Sequence, residues 1–185
     1  MKLMLSAIAA LLLVGCAVGP QSLKVAPQLS FEQLNGVKVP VELVVKDNRE
    51  NTDLLGYRNA KNQGPISFEQ ALAKSIGESL QNAMLAQDIN MIKGPEPLSK
   101  LEVSIEKLRY FSPDENWVSH IQLEGEIVVT ISRSGSSLTK RFAANRAQDV
   151  ATAPTAEFNE NYLNAMLSEL FNKALNDKEV VNFLK

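Results

Sequence analysis

"WVSHIQLEGEIVVTI", residues 117–131, decides how this chain is read. Trp117, Ile121, Leu123, Ile127, Val129 and Ile131 keep its odd positions apolar, with Ser119 and Gly125 the exceptions. A period of two over this length is a strand with one face on a core and one face in water. Working outward, Ser134-Gly135 has the composition of a tight turn, and "SSLTKRFAANRAQDV", residues 136–150, reads as a returning strand. Upstream, Leu101, Val103 and Ile105 alternate with polar residues into "EKLRYF", a strand that ends near Ser112-Pro113. Together these three form an antiparallel meander.

Helical signals flank the meander. Before it, "SFEQALAKSIGESLQNAMLAQ", residues 67–87, repeats Phe68, Leu72, Ile76, Leu80 and Met84 at helical spacing, and Ser67 with Gln70 has the pattern of a capping box. After it, Pro154-Thr155 introduces a second helix with Phe158, Tyr162, Leu163, Met166, Leu167, Leu170, Phe171 and Ala174 on a wide apolar face. Asp177 caps a last short helix ending at Phe183-Leu184. "VKVPVELVV", residues 37–45, is β-branched and alternating, so it reads as a first strand, with Pro40 at an edge or bulge. The order predicts an α+β fold: a mainly antiparallel sheet of about four strands with two amphipathic helices on one face. Residues 36–185 then form a single α+β domain, without an internal repeat or an interdomain linker.

The chain begins differently. Lys2 is a short positive segment, and Leu3 to Val14 are apolar apart from Ser6, as in a secretory signal peptide. This run is too short to span a bilayer stably, which takes about 20 apolar residues. "LLLVGCAVGP", residues 11–20, ends the run on the only cysteine, Cys16. Leu13-Val14-Gly15-Cys16 resembles the lipobox of bacterial lipoproteins, in which the signal (here residues 1–15) is cut away and the cysteine takes acyl chains such as palmitate on its thiol and new amine. Cys16 is then an anchor and not a nucleophile, and three acyl chains make that anchoring effectively permanent. Residue 17 is Ala, not the Asp that marks inner-membrane retention in enterobacterial lipoproteins, so the resemblance implies the outer membrane with the domain in the periplasm. Residues 16–35 read as the lipidated cysteine followed by a tether, rich in Pro, Ser and Gln, that becomes ordered toward its end and can hold the domain some tens of ångströms away.

Composition narrows the chemistry. The 185 residues carry a net charge of −2 and no basic run, which argues against nucleic acid as a partner. The one histidine, His120, lies on the polar side of its strand without Cys or His companions at metal-ligand spacing. Cofactor and metal sites are therefore not expected, apart from the covalent lipid. Glu124 and Glu126 share one strand face and read as solvated neighbours of Lys140 and Arg141.

Two stretches stand out as candidate contact surfaces. In "KDNRENTDLLGYRNAKNQGP", residues 46–65, Arg49, Arg58 and Lys61 can join the free amides of a helix N-terminus to hold a phosphate or carboxylate, with Tyr57 alongside. Alternatively, Asp47 and Asp53 neutralise the arginines while Leu54, Leu55 and Tyr57 pin the loop to the core. Tyr110, Phe111 and Trp117 cluster around the Pro113 turn, either as a contact surface or as core packing at strand ends.

"DNR" at 47–49, "LGYR" at 55–58 and the closing "VVNFLK", behind a lipobox, make the chain look like the YajG family of lipoproteins from Gram-negative bacteria. The resemblance implies an envelope lipoprotein without an assigned activity, linked to cell-wall maintenance, and supplies no catalytic residues. The expected function is a membrane-anchored, non-enzymatic binding or accessory module whose partner is an envelope protein or a peptidoglycan fragment. The alternatives are a peptidoglycan-fragment hydrolase using paired carboxylates and a structural assembly scaffold.

Overall fold

The computed structural model describes residues 19–31, 40–91, 99–113, 119–151 and 153–185. Seven strands form one mixed sheet: β1 (Gln21–Leu23), β2 (Val41–Asp47), β3 (Leu54–Tyr57), β4 (Pro65–Phe68), β5 (Ser99–Phe111), β6 (Ser119–Arg133) and β7 (Ser136–Val150). Three helices follow their own places in the chain: α1 (Leu72–Leu85), α2 (Ala156–Leu175) and α3 (Lys178–Leu184). The fold class is α+β as expected. The sheet is larger and more mixed than four antiparallel strands, and among the described residues there are three helices, not two.

The meander forms where alternation predicts it. β5 and β6 pair antiparallel, as do β6 and β7, and Ser134 (φ 50°) and Gly135 (φ 80°) make the turn between the last two. Positive φ at both central residues matches the right-handed twist of the strands it joins. Ile121, Leu123, Ile127, Val129 and Ile131 are all buried, and Trp117 lies outside the described residues. Gly125, the gap in the alternation, sits under α2: a Cβ there would stand 3.1 Å from the Leu170 Cδ2 and Met166 Sδ atoms. The helix packs close to the sheet because this position has no side chain.

The other flank of the sheet differs from the expectation. The strand read at 37–45 is observed as Val41–Asp47, with 37–39 outside the described residues, and it pairs parallel with β5 from Val41↔Ser99 to Asp47↔Ile105. β3 continues along the same edge of β5, parallel and in register at Gly56↔Tyr110. β3 then pairs antiparallel with β4, and β4 parallel with β1. Ser67 and Phe68 therefore lie in β4, not at a helix start. α1 begins at Leu72 after Ala71, which makes no side-chain cap; the Ser67 hydroxyl instead donates to the Gln21 carbonyl. Tertiary strand pairing has overridden a local capping pattern. Downstream the expected stripe holds, with Leu72, Ile76, Leu80 and Met84 buried.

All three helices cover one face. Gly77 of α1 lies over Val45, while α2 packs on β6 and β7 and α3 on both. Thr155 caps α2 by accepting from the Phe158 amide, and Asp177 caps α3 by accepting from the amides of Glu179 and Val180. Val180, Val181 and Leu184 of "VVNFLK" are core residues.

The stretch assigned to a tether is built into the domain from Gln21 to Phe31. Its odd residues turn inward, with Leu23, Val25 and Phe31 buried, while its backbone is read by one face of α2. Glu160 accepts from the Lys24 amide, Asn164 from Ala26, Ser168 from Gln28 and Asn172 from Ser30. In return Asn164, Asn172 and Asn176 donate to the carbonyls of Lys24, Gln28 and Ser30. Four residues of helix rise about 6 Å and two residues of extended chain about 6.6 Å, so the two repeats stay in step over this length. Polar side chains here do the work of a neighbouring strand.

Candidate functional site

Between β2 and β3 the chain leaves the edge of β5 and comes back to it, and "DNR" makes the detour. Asn48 donates its amide to the Ile105 carbonyl as the last bond of the β2 side. Arg49 then folds back: its Nε and Nη2 reach the two carboxylate oxygens of Asp47 at 2.8 and 2.7 Å, and its Nη1 and Nη2 donate to the carbonyls of Leu54 and Thr52. Both side chains are buried, and the guanidinium lies 5.1 Å from the Phe68 ring centroid. A bidentate, hydrogen-bonded pair is the form in which a buried charge is tolerated. Arg49 closes the loop and has its donors spent on the chain itself.

"LGYR" is also built into the fold. Leu55 is buried, and a Cβ on Gly56 would fall 1.9 Å from the Tyr110 carbonyl oxygen, so only glycine lets β3 approach β5. Arg58 donates from Nη1 to the Gly19 carbonyl and from Nη2 to that of Pro154, both at 3.1 Å. The Pro154 carbonyl also accepts from Gln21, whose own side-chain oxygen accepts from Asn159. Arg58 and this buried amide pair hold the start of the domain to the start of α2. Asp53, expected to neutralise an arginine, is exposed; Arg58 instead has hydrogen bonds to the uncharged carbonyls of Gly19 and Pro154.

Tyr110 points to the same cluster. It is buried beside Asn159, Arg58 and Tyr162, and burial pushes its hydroxyl up to about 12. It is a core residue, whereas Phe111 on the opposite side of β5 is half-buried. Trp117 and Cys16 lie outside the described residues. Lys61 is exposed, in a loop that β4 separates in sequence from α1.

What the structure brings together is the pair of stretches that sequence reading kept apart. The 49–62 region and residues 106–113, the end of β5 and the two residues after it, line a cleft of about 730 Å³. Leu55, Gly56 and Tyr110 are among its lining, Tyr57 and Phe111 line it half-buried, and Glu50, Asn51 and Arg109 are exposed at it. Arg49 also lines it, with its donors already engaged. Asx turns fix the loops: Asn51 accepts from the amides of Asp53 and Leu54, and Asn59 from those of Lys61 and Gln63. The cleft is therefore preformed, with exposed groups of both charges.

Other candidates resolve on the open face of the sheet. Glu126 pairs with Arg141 as expected, but Glu124 pairs with Lys107, and Lys140 turns to the helix side to bind Asp177 at 2.7 Å. His120 meets Asp149 across β6 and β7. Among the described residues no cluster of His, Cys, Asp and Glu suits a metal ion, and no helix is long and apolar enough to cross a membrane.

Residues 27–185 match the model of a family described as uncharacterised lipoprotein. Among solved structures, the chain is similar to protein XCC0632 of Xanthomonas campestris, with a TM-score of 0.55 and 9% identity over 91% of this chain and 97% of that one. That likeness is one of fold alone. The minor lipoprotein of Acinetobacter baumannii aligns at a TM-score of 0.40 and 10% identity, over 78% of this chain and 89% of that one. No curated protein matches the sequence.

Proposed function

Because the chain belongs to this family of uncharacterised lipoproteins, we propose that Cys16 carries its lipid, that the outer membrane holds it with the domain in the periplasm, and that it binds another envelope component without turning it over. The partner is an envelope protein or a peptidoglycan fragment. The observation that carries the binding reading is the preformed cleft, in which the 49–62 and 106–113 segments meet and leave Glu50, Asn51 and Arg109 exposed to a partner.

The start of the fold adds a spatial constraint. Gly19, held by Arg58, is three residues from Cys16, a reach of at most about 10 Å. Tyr57 and Asn59, on either side of Arg58, line the cleft. On this reading the cleft opens beside the membrane and not at the end of a long tether.

Photo-crosslinkers at Asn51, Asn59 and Arg109, in the anchored protein in cells, test the reading. A discrete protein or glycan adduct from these positions, and none from exposed Glu78 on α1, is the expected result. No adduct from the three cleft positions in correctly anchored protein would sink it. Lipidation is checked separately: Cys16→Ser should move the protein out of the membrane fraction.

A further inference from the structure

We propose that the free edge of β7 pairs with the same edge of a second copy of this chain, antiparallel about a two-fold axis at Asn145. β7 is the last strand of the sheet, and among the described residues no strand pairs with its outer side. It keeps an unbroken register with β6 from Ser136 to Val150, whereas β5 and β6 slip at Ile105/Lys107. A long, regular, bulge-free edge is what folded proteins usually avoid leaving open, because its unpaired amides and carbonyls template another strand.

The turn fixes which groups are unpaired. Arg133 and Ser136 flank a two-residue turn and form its hydrogen-bonded pair, so the even residues of β7 bond to β6 and the odd residues point outward. Every odd residue from Ser137 to Asp149 is also exposed. The charges that could block the edge from the helix side are engaged elsewhere: Lys140 binds Asp177 and Glu179, and Arg146 lies over the Tyr162 ring.

The sequence of the edge complements itself. With Asn145 opposite Asn145 of the second copy, Ala143 faces Ala147 and Arg141 faces Asp149, each twice by symmetry. Two opposite-charge pairs, whose Arg141 and Asp149 already bind Glu126 and His120 within the chain and would share these partners, flank a centre of small side chains, and directly opposite partners on one sheet face are those that interact most strongly. On the helix side, Arg146 faces Ala144, which leaves it room. An isologous contact of this kind closes on itself and forms a dimer, not a fibre.

Cysteine crosslinking in membranes of cells expressing the full chain tests both pairing and register. Opposed residues of a hydrogen-bonded antiparallel pair stand about 5.5 Å apart at Cα, within disulfide range. Under copper-phenanthroline oxidation, Asn145→Cys should give a covalent homodimer, above the background of the native chain with its single Cys16. Ala143→Cys and Ala147→Cys should each stay monomeric alone and crosslink when co-expressed. The proposal is overturned if Asn145→Cys, shown accessible by maleimide labelling, gives no homodimer or an adduct with a different protein. It is equally overturned if Ala143→Cys alone crosslinks as well as the mixed pair.

Discussion

β6 and β7 exchange a continuous register from Ser119↔Val150 to Arg133↔Ser136, while β3 meets β5 at Gly56↔Tyr110. The first region is held by backbone ladders between strands adjacent in sequence, with a two-residue turn to set the register. The second is held by side chains that reach backbone groups far along the chain: Arg58 to Gly19 and Pro154, Asn164 to Lys24 and Ala26. One region spreads its stability over many interchangeable contacts, and the other concentrates it in a few polar residues. Substitutions should therefore be felt very differently in the two.

Two arginines give the sharpest contrast. Arg49→Ala should cost about 3–5 kcal/mol in denaturant unfolding, because it strands the buried Asp47 carboxylate and removes the donors to Thr52 and Leu54. Arg141→Ala, on the exposed face of β7, should cost under about 1 kcal/mol. Equal losses would break the contrast.

Tyr110 sharpens it through pH. Burial raises its folded-state value to about 12 from 10.0, so the folded form keeps its proton where the unfolded form loses it. The contribution is fully present below pH 10 and drains away as pH rises toward 12, on the order of 2–3 kcal/mol in total. Alkaline unfolding followed by tyrosinate absorbance should lose its steepest portion in Tyr110→Phe.

The same division decides what could be read from sequence. The meander was legible because alternation of period two and a Ser-Gly turn are local signals, and α2 was legible from its apolar face. β1, β3 and β4, of three or four residues each, carry too little pattern to read, and β1 and β3 pair parallel with distant strands. Arg49 and Arg58 stood out as residues of consequence, but their partners are mainly backbone carbonyls, which no side-chain pattern records. The N-terminal segment left one usable signal: Asn164, Ser168, Asn172 and Asn176 repeat every four residues beside the apolar face of α2, against alternating apolar positions in residues 23–31. The cleft joins segments fifty residues apart and depends on the parallel β3–β5 contact, so it was hidden with it.

That polar repeat makes a smaller prediction. Asn172→Ala removes an acceptor for the Ser30 amide and a donor to the Gln28 carbonyl, both near water. The expected cost is about 1 kcal/mol. Hydrogen exchange at Ser30 should quicken while amides of β6 are unchanged, since the loss is local. If protection across β6 fell equally, the segment and the meander would be one cooperative unit.

The smallest effect belongs to the open face of the meander. Glu126→Gln removes the partner of exposed Arg141 from a half-buried position on the open face, where such an ion pair is worth about 0.2–1 kcal/mol. Salt separates this pair from Asp47–Arg49 more cleanly than magnitude does. Raising ionic strength shortens the screening length to about 3 Å at 1 M and should erase the difference between Glu126→Gln and the parent chain. The Arg49→Ala deficit should persist, because water and counterions do not reach a pair whose side chains are 4% and 8% exposed. A deficit at Arg49 that vanished with salt would mean the loop between β2 and β3 opens to solvent, and that the cleft it lines is not preformed.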